Sequence, residues 1–190
     1  MHLLFFDTET TGLPRNYKAP ASDINNWPRI VQIAWLLTDA SGKEIRGMEH
    51  IIKPNGFTIP NEASKVHGIT TEIALEKGVE LGTVLASLCR DIDDASQLIA
   101  HNVSFDEKIV GAEFIRNGLP NYFEMKPRKC TMIASTQYCA IPGNYGYKWP
   151  KLQELYMKLF GQDFEGAHSA LADVKACAKC YFKLQQIGII

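Results

Sequence analysis

The chain has 190 residues, 46% of them hydrophobic and 22% charged, with a formal net charge of −1. That composition fits one well-buried α/β domain spanning residues 1–190. It excludes several classes: no apolar run approaches the roughly 18–20 residues of a membrane span, no secretory leader is visible, and the charge lacks the basic excess that grips long duplex DNA.

Leu3-Leu4-Phe5-Phe6 opens a buried strand over residues 2–7, and Asp7-Thr8-Glu9 follows at once. Residues 13–28 are rich in turn formers and read as a long loop. Ile30 to Leu37 is a second apolar strand. Ser41-Gly42 turns the chain into a third, Glu44 to Ile52, closing an antiparallel meander. Short helices follow over Pro60–Val66 and from a Thr70 cap to Lys77. Leu81, Val84, Leu85 and Leu88 recur at helical spacing, which predicts an amphipathic helix over 80–94.

Gln97 to Ala100 is a short strand leading into His101-Asn102, and Ser104 is positioned to cap the next helix. Asn117-Gly118-Leu119-Pro120 stops that helix. A short strand and a helix start are expected within 129–139, and two more helices over 151–160 and 168–187. The order predicts a mixed sheet flanked by helices.

Three acidic signals recur, each at the end of an apolar element: Asp7 with Glu9, Asp106, and Asp173. Residues i and i+2 of a strand share a face, so Asp7 and Glu9 point together. Neighbouring carboxylates repel unless a cation lies between them, and hard oxygen ligands suit Mg2+ or Mn2+. Four such groups at one point can hold two divalent ions roughly 3.5–4 Å apart, the arrangement that phosphodiester hydrolysis uses. Bound cations would also cancel the acidic cluster, so the chain's charge leaves room for nucleic acid in a small site.

His168 supplies an imidazole able to take a proton from an attacking water. It precedes Asp173 by five residues, which is not a shared helical face. His168 is therefore expected in the loop or first turn, with Gly166 before it letting the segment flex on closure.

Phe-Asp-Thr-Glu-Thr-Thr-Gly-Leu (6–13), His-Asn-x-x-Phe-Asp (101–106) and His-x-Ala-x-x-Asp (168–173) resemble the three motifs of the DnaQ-like 3′–5′ exonucleases, in the DEDD subgroup with a catalytic histidine. Pro28–Ile33 and Val66–Thr70 are similar to family segments as well. The resemblance implies a ribonuclease H-like α/β fold with a five-stranded mixed sheet, two Mg2+ or Mn2+ ions, and stepwise release of nucleoside 5′-monophosphates. By position it makes Asp7, Glu9, Asp106 and Asp173 metal ligands and His168 the general base. Thr10, Gly12 and Leu13 would lie against the terminal nucleotide, and His67, His101, Asn102 and Phe105 would line its pocket or support it.

Some positions carry two readings. His67, His101, Asn102 and Phe105 also suit packing or turn roles. Trp35 reads as core, whereas Trp27 reads equally as core or stacking platform. The basic stretch Lys126, Arg128, Lys129, Lys148 and Lys151 reads as a phosphate contact or a solvated face, and Tyr145, Tyr147 and Trp149 beside Lys148 lean toward substrate. The five cysteines fit reduced thiols in a cytoplasm, and Cys177-x-x-Cys180 reads as structural.

The expected substrate is a single-stranded or frayed DNA 3′ end, by similarity to the proofreading branch. The alternative is RNA 3′-end trimming of the ribonuclease T or oligoribonuclease kind. A DNA polymerase partner and a free-standing nuclease are both compatible with the sequence, which leaves the oligomeric state open.

Overall fold

The structure is a computed structural model that describes residues 1–167 and 169–190. Its centre is a five-stranded sheet in the order β3-β2-β1-β4-β5. β1 (His2–Thr10), β2 (Ile30–Asp39) and β3 (Glu44–Ile51) form the antiparallel meander, and β4 (Gln97–Ala100) and β5 (Arg128–Cys130) add in parallel beyond β1. The expected mixed five-stranded sheet flanked by helices is the observed one.

Alternation along the strands sorts the two faces. Leu4 and Phe6 of β1 join Ile33, Trp35 and Leu37 of β2 in a core covered by α3 (Leu81–Asp94) and α4 (Val103–Arg116). Leu3 and Phe5 join Ala34 and Leu36 in the opposite core, under α5 (Thr131–Cys139), α6 (Leu152–Phe160) and α7 (Ala170–Gln186). Cys177 and Cys180 belong to this second core, as free buried thiols. α1 (Asn61–His67) and α2 (Thr71–Lys77) cross beyond the meander, with Thr70 capping α2 through the Ile73 N–H.

Two local expectations change, and the open reading of Trp27 is settled. β1 runs to Thr10, so Asp7 and Glu9 lie within the paired strand, opposite Ala34 and Gln32. The cap of α4 is Asn102 in the left-handed conformation (φ 78°), which Asn tolerates, and Ser104 lies inside the helix. Trp27 is 3% exposed and donates from Nε1 to the Pro20 carbonyl at 2.9 Å, so it is core and no stacking platform. Trp35 is fully buried and donates to Asp91 Oδ2 at 2.6 Å. Among the described residues no helix is long and apolar enough to cross a membrane.

Candidate active site

Strand parity decides which helix each polar residue of β1 meets. Asp7 and Glu9 share the face of Leu3 and Phe5, which α7 covers, and Asp173 in the first turn of α7 descends onto them. One carboxylate oxygen from each of Asp7, Glu9 and Asp173 lies within 4.8 Å of the others. Thr8 faces the other way, toward α4. There its N–H and hydroxyl both donate to Asp106 Oδ1, at 3.1 and 2.7 Å. Because β4 runs parallel to β1, the start of α4 lies at the same sheet edge as the end of β1.

The electrostatics follow from crowding. Burial pushes the Asp7 carboxyl well above the ordinary carboxylate range, and Asp106, Asp173 and Glu9 push it further. Glu9 is raised to about 8 by burial, then by Asp173 and Asp106. Asp106 is raised to about 7 by burial, while the Thr8 hydrogen bonds pull it down. Each group thus feels the others, so the four acids form one unit, although Asp106 reaches it from the opposite face. A cation between them removes the repulsion, and the all-oxygen donor set fits Mg2+ or Mn2+.

Beside the acids lies a cleft of about 420 Å3, lined by Thr8, Glu9, Thr10, Gly12, Leu13, Glu62, Ala63, Val66, His67 and Phe105. Leu13 is 73% exposed at its mouth. Thr10 Oγ1 donates to the Gly12 carbonyl at 2.7 Å and folds this segment back. Gly12 has φ +150°, a region closed to side chains, with open space where a Cβ would stand. His67 closes α1; its Nδ1 accepts the Ile69 N–H at 3.1 Å, which leaves the ring proton on Nε2. Burial lowers its pKa, and the Thr10 carbonyl opposes that. Phe105 is half-buried, its ring tilted against Tyr17 at 6.3 Å.

The exonuclease family RNase_T matches residues 4–181, a span that contains every element of this site. The uncharacterised exonuclease CP81 of Escherichia phage 186 is 31% identical over 90% of this chain and 82% of its own length. The DNA polymerase III epsilon subunit of Treponema pallidum is 28% identical over 95% of this chain and 75% of its own. The chain belongs to the RNase_T exonuclease family. Among solved structures, E. coli exonuclease I with a dA16 oligonucleotide superposes with a TM-score of 0.74 at 23% identity, covering 97% of this chain and 41% of that one. Exonuclease I from Methylocaldum szegediense gives 0.75 at 21%, covering 97% and 40%. The likeness to these is one of fold, and the chain spans about two fifths of their length.

In this RNase_T-family exonuclease, seven residues singled out from the sequence gather at one edge of the sheet around the cleft and the acids: Asp7, Glu9, Thr10, Gly12, Leu13, His67 and Phe105. Asp106 and Asp173 join them from α4 and α7. His168 lies outside the described residues. His101 turns both ring nitrogens to the protein: Nε2–H donates to the Pro150 carbonyl at 2.9 Å, and Nδ1 lies 3.0 Å from the Thr131 hydroxyl. Burial holds its pKa down at about 4, the Pro150 contact opposing, so the ring is neutral and the Thr131 hydroxyl donates to Nδ1. His101 is thus a brace. Asn102 makes the left-handed turn between β4 and α4, with no side-chain cap bond. Of the basic stretch, Lys126 donates to the Asp93 and Ala95 carbonyls and Arg128 pairs with Glu107 at 3.0 Å.

Sequence reading missed Thr8, whose strand parity alone points it at α4. It also missed a clamp on α7. Gln32 Oε1 accepts the Ala170 N–H at 3.1 Å, and Glu49 Oε1 accepts from Ser169 Oγ, the Leu171 N–H and Gln32 Nε2. Gln32 faces Glu9 across the β1–β2 ladder, and Glu49 faces Ala34 across the next. Only the pairing register puts these residues beneath α7.

Proposed function

We propose that this protein is a metal-dependent 3′–5′ exonuclease, with residues 1–190 as one catalytic domain, that shortens single-stranded or frayed DNA ends and releases nucleoside 5′-monophosphates. The observation that carries the reading is the convergence of Asp7, Glu9 and Asp173 within 4.8 Å, with Asp106 held on the neighbouring Thr8 from the opposite face. Family membership supports the reaction class.

Two Mg2+ or Mn2+ ions, when held by Asp7, Glu9, Asp106 and Asp173, supply a nucleophilic water and neutralise charge on the phosphodiester oxygens. The protein's own groups do the rest. Thr8 fixes Asp106 Oδ1 with two donors and favours its ionised form. His168 takes the proton of the attacking water. The Thr10–Leu13 segment receives the terminal nucleotide, with Leu13 against its base. Phe105 offers a ring face that tolerates any base. His67 lines the cleft with its Nε2 buried and its ring against the Thr10 carbonyl, so it supports the segment that receives the nucleotide.

The likeness to the Treponema epsilon subunit supports a proofreading or repair role, with a DNA polymerase as partner. The free cysteines support a cytoplasmic setting.

The test uses 5′-labelled DNA and RNA oligonucleotides of one sequence, with Mg2+, with Mn2+ and with EDTA. The reading requires DNA to shorten stepwise from its 3′ end, with metal only, releasing 5′-monophosphates. Intact DNA in every lane overturns it. Shortening of RNA alone keeps the chemistry and reassigns the substrate.

A further inference from the structure

Among the described residues, the hairpin between α5 and α6 contributes none to the lining of the cleft. β6 (Pro142–Gly143) and β7 (Gly146–Tyr147) form a two-stranded sheet of their own, with Pro142 opposite Tyr147 and Gly143 opposite Gly146. The Lys148 N–H donates to the Ile141 carbonyl at 3.0 Å and lengthens the ladder. Three aromatics stand on its turn and returning arm: Tyr145 in the turn is 103% exposed, Tyr147 on β7 51% and Trp149 just beyond it 64%. Among the described residues none of the three rings stacks on another ring or hydrogen-bonds through its side chain. Burying large ring surface is a main source of core energy, and here that surface is left in water.

The hairpin's root lies at the catalytic edge. Trp149 is followed by Pro150, whose carbonyl accepts from His101 Nε2 at 2.9 Å. His101 directly follows β4 and opens the turn into α4, which carries Asp106. The brace thus ties the aromatic strand to the edge where the acids converge.

We infer that Tyr145, Tyr147 and Trp149 form a stacking surface for the nucleotides of a single strand that lie upstream of its 3′ terminus. This rests on the exonuclease reading above. Tyr147 and Trp149 lie two apart on the arm that the Lys148–Ile141 bond keeps extended, and extended residues two apart share a face at a spacing of about 6.8 Å. That is twice the roughly 3.4 Å rise per nucleotide of a stacked strand, so these two rings match alternate gaps in a base stack, and Tyr145 adds a fully exposed ring at the turn. Lys148, between Tyr147 and Trp149, turns to the other side and is engaged with Glu154 Oε1 at 2.5 Å. Glu154 also accepts the Lys151 N–H, at 2.7 Å. The recognition is therefore by ring faces and not by charge, which suits a chain of net charge −1. Stacking of this kind is indifferent to base identity, as a nuclease that consumes any end requires.

The test compares the intact protein with the Y145S/Y147S/W149S variant on a thymidine dinucleotide and on an oligothymidylate of about ten nucleotides. The dinucleotide reaches only the catalytic cleft. The expected result is a KM about tenfold or more higher for the variant on the long substrate, equal rates on the dinucleotide, and an unchanged melting temperature. The gap should persist at raised salt, because stacking is not screened. A direct readout exists as well. Trp149 is the exposed indole, Trp27 and Trp35 being 3% and 0% exposed, so the long oligonucleotide should quench its emission.

A variant with wild-type KM on the long substrate overturns the proposal and leaves the exonuclease reading intact. So does a variant that loses the dinucleotide reaction in proportion, or one that changes only the sedimentation of the protein, which would make the rings a contact between copies. If the wild type cleaves neither substrate, the exonuclease reading itself fails, and oligonucleotide quenching of Trp149 then still decides whether the surface binds a single strand.

Discussion

Thr8 holds Asp106 by two bonds to one oxygen, from its N–H at 3.1 Å and its hydroxyl at 2.7 Å. The two residues are 98 apart in sequence. This contact joins β1 to α4 and sets the fourth acid beside the other three.

Thr8→Val keeps the shape and removes the hydroxyl. A hydrogen bond to a charged group contributes about 1.5–3 kcal/mol, so the Asp106 carboxylate should become harder to ionise. Mg2+ affinity should fall about 10–100-fold, the usual loss when a group supporting a ligand is removed. Calorimetric Mg2+ titration of both proteins checks this, and unchanged affinity would remove Thr8 from the site.

Asp7→Asn should separate function from stability. Cleavage should drop to background. The metal-free protein should melt a few degrees higher, as about 1–2 kcal/mol does in a chain of this size, because a carboxyl opposed by burial and by Asp106, Asp173 and Glu9 is gone. A lower metal-free Tm would show that the repulsion is not what limits this edge.

The raised acids set a pH dependence. Glu9 is lifted to about 8 and Asp106 to about 7, both above their unfolded values. The folded state therefore keeps protons that the unfolded chain has already released, and stability without metal must fall as pH rises toward 8. His101, held down at about 4, works oppositely, but only below its unfolded value of 6.5. Between pH 6.5 and 8.5, roughly, the acids act alone. Thermal melts across that range should decline without Mg2+, and the stabilisation by Mg2+ should grow. A metal-free curve that is flat or rising would contradict the assignment.

His168→Ala should slow cleavage by about 10²–10⁴-fold, the usual contribution of a general base, with Mg2+ affinity near wild type. Its pH–rate profile should lose the rising limb that imidazole deprotonation produces. Equal loss of metal affinity and rate would make the histidine a support for the acids.

Glu113 is the anchor of the long loop. Its fully buried side chain pairs with Arg29 at 2.7 Å and Arg116 at 3.0 Å, and Arg116 in turn caps the carbonyls of Ile24, Trp27 and Pro28. Glu113→Ala leaves those cations without their counter-charge, a change that costs about 3–5 kcal/mol. Urea unfolding measures it; a loss below roughly 1 kcal/mol would show that the arginines find water instead.

Local pattern in the chain determined a great deal. Apolar runs and turn residues marked the meander, β4 and most helices, because periodicity and turn chemistry are properties of neighbouring residues. The i, i+2 spacing alone paired Asp7 with Glu9, and the Thr70 cap was readable from its residue type. The acids and the cleft residues were named from motifs, each a short run of neighbours. Only the tertiary structure decided which partners those residues meet. Trp27 is core because the long loop folds back over it, and His101 is a brace because residue 150 happens to return to the β4 edge. Thr8 meets Asp106, and Gln32 and Glu49 hold the start of α7, through register and packing across many tens of residues. Such contacts are set by the global minimum of burial and pairing, and no local period encodes them.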